Sequence, residues 1–135
     1  MAIRARIKVG DVFAIPLADQ KFALGVCTFV FRDFKNCIAC RVFEGVHDAP
    51  TMAEPMPSKV AVEPLFMGKQ IITAGTWPIV GKLDAGNPSM MFRVADGKYN
   101  GDTYVGPIGN EVLPNLEVYG PVAVQNLLRR RFGLE

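Results

Sequence analysis

Histidine, tryptophan and cysteine are scarce in this chain of 135 residues, which has one, one and three of them respectively. With His47 as the single imidazole, any Ser/His/Asp or Cys/His nucleophilic chemistry would have to pass through that one side chain. An odd number of cysteines fits free thiols in a reducing compartment better than a disulfide framework. Excess charge of one sign is also missing. Fifteen basic against thirteen acidic residues leave +2, too little for the electrostatic footprint of a nucleic-acid or anionic-membrane binder. The one concentrated basic run, Arg129-Arg130-Arg131, reads as the solvated end of a helix. No apolar run approaches the roughly 18 residues of a membrane span, and the first six residues lack the apolar stretch of a secretory signal, so a cytoplasmic location is expected. No Gly-x-Ser-x-Gly elbow and no glycine-rich phosphate loop ahead of a helix occurs. The carboxylates are scattered without an indicated acid–base pair, so the chain is expected not to be an enzyme and to need no cofactor.

What the chain has in quantity is apolar surface. Half its residues are hydrophobic, enough for residues 1–135 to form one globular domain without metal or disulfide staples. Ten prolines and thirteen glycines cut it into short segments, the spacing of a β-rich fold. Residues 9–17 alternate, with Val12, Ala14 and Pro16 on one side and Phe13, Ile15 and Leu17 on the other. In residues 21–31, Phe22, Leu24, Val26, Thr28 and Val30 are in phase, Phe29 and Phe31 fall opposite, and Gly25 suggests a bulge or bend. A turn at residues 32–36 leads to a third strand over 37–46, completing an antiparallel meander. Two further strands are predicted at 65–73 and 76–83, a chain break at 84–88, a short strand at 90–94, a turn-rich stretch at 95–102 and a last short strand at 117–119. Only the end is clearly helical: Pro121 suits a first helical position, Val124, Leu127, Leu128 and Arg131 keep a 3.6-residue spacing, and Gly133 follows the last turn. The expected architecture is mainly β (α+β): an antiparallel small barrel or strongly curved sheet with one C-terminal helix.

Cys27, Cys37, Cys40 and His47 have the right donor types for a tetrahedral zinc site. Residues three apart in a strand point to opposite faces, so Cys37 and Cys40 read instead as small buried hydrophobes and no metal is expected. Residues 47–64 interleave Pro50, Pro55, Pro57 and Pro64 with Met52 and Met56, which reads as a long loop. Loops of that length tend to be functional or mobile. Its methionines would either serve a partner surface or fold back on the strands. Trp77 would either anchor the core or form an exposed hot spot. His47, Asp48, Met52, Glu54, Met56 and Trp77 are therefore the candidate partner-binding residues.

Two stretches carry a family likeness. Val9-Gly-Asp-Val-Phe-Ala-Ile-Pro-Leu17 followed by Lys21-Phe-Ala-Leu-Gly-Val26 resembles the opening hairpin of the immunity protein 26 family, and Gly75-Thr-Trp-Pro-Ile-Val-Gly-Lys82 is similar to that family's Trp-Pro strand. The resemblance implies a bacterial cytoplasmic protein of a polymorphic toxin system that binds and neutralises a cognate toxin without catalysis. Charge and hydropathy leave no membrane and no nucleic-acid partner expected. The slightly basic balance speaks against a strongly basic nuclease as the toxin.

Two alternatives stand beside this one. A small-barrel RNA binder or endoribonuclease would use Arg32, Arg41, Arg93 and His47, although the near-neutral charge disfavours it. A small-molecule or peptide binder would be walled by Phe29, Phe31 and Trp77. Exposed edge strands would also leave room for a homodimer.

Overall fold

A computed structural model describes residues 6–34, 36–85 and 90–134. The chain enters β1 (Asp11–Pro16), β2 (Phe22–Val30) and β3 (Cys37–Phe43), then β4 (Val60–Gly68), a single helical turn α1 (Gln70–Thr73) and β5 (Ile79–Lys82). A second group of strands follows, β6 (Met91–Val94), β7 (Gly97–Asn100) and β8 (Thr103–Pro107), before β9 (Val118–Tyr119) and the helix α2 (Pro121–Phe132). Strands β1 to β3 form the expected antiparallel meander, which is extended by β4 beside β3, by β5 beside β1 and by β9, which runs parallel to β4. The result is a six-stranded mixed sheet in the order β5-β1-β2-β3-β4-β9, with a separate three-stranded sheet β6-β7-β8. Among the described residues the edges β5 and β9 do not pair with each other, so the large sheet is open where a small barrel would be closed.

Both faces of the large sheet are covered, which is why its central strands are apolar on both sides. On one face Phe13, Ile15, Ala23, Ile38, Cys40, Val42, Leu65 and Met67 pack with Val124 and Leu128 of α2, Ile72 of α1 and Trp77. On the other, Val12, Ala14, Leu24, Val26 and Phe43 lie beneath Met52, Met56, Val80 and Leu83. Further along that second face, Phe31, Ala39 and Phe66 meet Phe92 and Tyr99 of the small sheet. There the aromatic rings interlock, with Phe31 and Phe92 5.6 Å apart edge to face and Phe92 and Tyr99 stacked at 5.7 Å.

One expectation is corrected inside β2. Phe22, Leu24 and Val26 share a face, but a bulge between Cys27 and Phe29 shifts the phase, so that Phe29 and Phe31 join their face of the sheet and Val30 crosses to the α2 side. The bulged residue, Thr28, is buried with its hydroxyl unpaired among the described residues. Gly25 is not the bulge. It stands opposite Phe13, and a Cβ there would lie 2.9 Å from that ring's Cζ.

Other boundaries also move. The strand read at 65–73 begins at Val60 and turns helical after Gly68, where the backbone N–H groups of Ile72 and Thr73 bond the carbonyl of Lys69. The strand read at 76–83 is shortened to β5, because Trp77 turns inward ahead of it. The turn-rich stretch at 95–102 contains β7, with turns on either side of it. Most of the chain break read at 84–88 lies outside the described residues, as does Lys35 of the turn at 32–36. The helix agrees with expectation: Pro121 occupies its first turn and Gly133 ends it in the left-handed conformation at φ 70°.

Candidate functional site

The loop from residue 47 to residue 59 lies on the sheet face opposite α2. It is pinned at its start, since His47 exchanges two 2.8 Å backbone hydrogen bonds with Phe22 and so extends the β2 edge by one bridge. The His47 ring is half-buried, and its Nε2 has no hydrogen-bond partner among the described residues. Asp48 is fully solvent-facing and ion-paired with Lys21, whose hydrogen bond and charge hold the Asp48 carboxyl below its ordinary range. Met52 and Met56 are half-buried against the Val12, Leu24 and Phe43 cluster, whereas Glu54 between them is exposed. The loop therefore brings His47, Asp48 and Glu54 to one side of the molecule and spends much of its methionine surface on the protein itself. Trp77 is not brought there. Its ring is 2% exposed and sits in the α2-side core, across the sheet from the loop.

The three thiols divide between the two faces. Cys27 and Cys40 are register partners on β2 and β3 and share the α2-side core, while Cys37 belongs to the aromatic cluster on the other side. Burial pushes the Cys27 thiol up to about 12 and Cys37 up to about 11, with Cys40 also raised well above its ordinary value by burial. Thiols held protonated in this way are poor nucleophiles and poor ligands. Among the described residues no group of three His, Cys, Asp or Glu side chains is placed to hold a metal ion.

The arginines weighed for RNA chemistry are mostly committed elsewhere. Arg41 is bonded to Glu63 through Nε at 2.9 Å, and Arg93 donates from Nε and Nη2 to the Ala95 carbonyl at 3.1 and 2.9 Å. Phe29 and Phe31 pack into the inter-sheet cluster while Trp77 lies in the other core, so the three do not wall one pocket.

Two concavities escape a sequence reading. One, of about 640 Å³, opens between the segment ahead of β1, the β2–β3 turn and α1, and Arg6, Arg32 and Lys69 line it together with Asn36 and Thr73. The other, of about 490 Å³, is an apolar groove where Ile71, Val118, Tyr119 and Pro121 meet. The cations of the first lie at positions 6, 32 and 69, so no local motif could announce them. Its shape depends on long-range ties, among them the Lys69 N–H that donates to the Asn36 carbonyl at 2.7 Å.

No curated protein and no solved structure matches this chain. A family model does: that of immunity protein 26 matches residues 8–98, from just ahead of β1 into β7, and thus takes in both stretches that carried the likeness together with the loop between them. With two thirds of its length matched, the chain belongs to the immunity protein 26 family.

Proposed function

We propose that the protein binds a cognate toxin in the bacterial cytoplasm and neutralises it by occupying its surface, without catalysing a reaction. The observation that carries this reading is the family match over residues 8–98. The loop at residues 47–59 suits such a role. Its ends are tied to the sheet and its methionines pack beneath it, so His47, Asp48 and Glu54 are presented with little ordering left to do on binding. Trp77, buried in the core across the sheet from the loop, is not part of this surface.

The test is co-expression with each toxin gene found next to the gene for this chain. Restored growth, together with a one-to-one complex on purification, is the expected result. Failure to protect against every such toxin overturns the reading.

A further inference from the structure

Five cations of the described chain are ion-paired within it: Lys21 with Asp48, Arg41 with Glu63, Lys82 with Asp11, Lys98 with Glu111 and Arg131 with Glu44. Arg6, Arg32 and Lys69 differ. Their side chains make no ion pair or hydrogen bond among the described residues, and all three line the same 640 Å³ cavity. Each is rooted on a fixed piece of the fold. Ile7 is buried in the core and anchors Arg6, the Arg32 N–H bonds both oxygens of the Asp102 carboxylate at 3.1 Å, and Lys69 is the N-cap residue of α1. Asp102 is the nearby counter-charge, and its oxygens are already engaged by the backbone N–H groups of Arg32 and Asp33. Three cations facing one concavity repel one another until an anion enters, and a partly enclosed site screens that attraction less than open solvent does.

We infer that this cavity receives an acidic peptide segment of the protein partner, with Arg6, Arg32 and Lys69 binding its carboxylates and the half-buried Val30 at its edge covering its methylenes. The inference rests on the toxin-binding reading for the identity of the partner and deepens it by naming the chemistry of the contact. A nucleic acid fits less well. Its backbone needs cations along a groove and its bases need exposed rings, whereas the remaining lysines and arginines are largely paired and Phe31 at the cavity wall is 3% exposed.

Titration of the full-length protein with hexaglutamate, followed by amide chemical shifts, tests this directly. Saturable shifts at Ile7, Arg32, Asn36 and Lys69 are expected, with affinity falling as salt rises. At least a tenfold loss is expected in the double variant R32E/K69E, and wild-type binding in K59E, which lies outside the cavity. Should the reversal variant fail to fold, R32Q/K69Q carries the same test with a smaller expected loss. Absence of shifts, equal binding by the variants, or tighter binding of a single-stranded RNA oligomer at the same amides overturns the inference. The two readings fail separately. Hexaglutamate binding without protection from any neighbouring toxin removes the toxin reading and leaves the cavity as an acidic-peptide site. A toxin bound equally tightly by wild type and R32E/K69E removes the cavity and leaves the toxin reading.

Discussion

Met52 lies directly over Gly81, filling the space a β-carbon on that β5 residue would need, and so joins the loop at residues 47–59 to an edge strand of the large sheet. The contact explains how a proline-rich segment without regular structure keeps a fixed place on the sheet. Gly81→Ala forces the thioether aside and is expected to cost about 1–3 kcal/mol, the range for overpacking. Met52→Ala relieves that conflict, so the double variant should be less destabilised than the sum of the two single variants, as read from urea midpoints. Additive effects would show that the loop does not rest on β5.

Asp102, at the turn between β7 and β8, reaches the first sheet by accepting the backbone N–H groups of Arg32 and Asp33 at 3.0 to 3.1 Å. Hydrogen bonds to a charged acceptor contribute more than neutral ones. Asp102→Ala is expected to lower stability by about 1–2 kcal/mol and to speed hydrogen exchange at the Arg32 and Asp33 amides first. Unchanged exchange there would mean that the two sheets are held by their aromatic cluster alone.

Helix α2 lies beyond the residues that match the family, yet its Val124 and Leu128 are wholly buried in the same core as Phe13 and Trp77. Leu128→Ala is expected to cost about 2–5 kcal/mol, the usual consequence of an aliphatic cavity. Gln125 adds a tie by donating from Nε2 to the Pro16 carbonyl at 2.8 Å. A loss under about 1 kcal/mol for Leu128→Ala would place the helix outside the cooperative core.

Cys27 and Cys37 are raised by burial from 9.0 to about 12 and about 11, so between those values and 9.0 the folded chain keeps protons that the unfolded chain has lost. The thiols' contribution is therefore fully present below about pH 9 and is lost as pH rises toward 11 and 12. Stability should fall over that window in wild type, and less steeply in Cys27→Ala/Cys37→Ala. At pH 8 the native protein should react slowly with a thiol reagent and the unfolded protein fast at all three cysteines. Rapid labelling of the native protein would contradict their burial.

Much of the fold is legible in the sequence where spacing is local. The alternation of Val12 and Ala14 against Phe13 and Ile15 places β1 between two packed layers, and Pro121 and Gly133 bracket the helix. The opposition of Cys37 and Cys40 follows from strand geometry alone, and the structure places them in different clusters. The Gly-Asp-Val-Phe and Trp-Pro stretches were sufficient to identify the family, because each is a contiguous run of residues.

Tertiary structure decided what depends on partners distant in the chain. The bulge after Cys27 sends Phe29 and Phe31 toward the small sheet because the aromatic side chains of Phe92 and Tyr99 wait there, and no pattern within β2 encodes them. One edge of the large sheet is a parallel β4–β9 pair, formed by segments some fifty residues apart. Arg6, Arg32 and Lys69 become one cationic cavity only once the β2–β3 turn, α1 and the N-terminal segment are folded together. Local periodicity reports which face of an element is apolar; only packing reports which other element that face, or an unpaired charge, will meet.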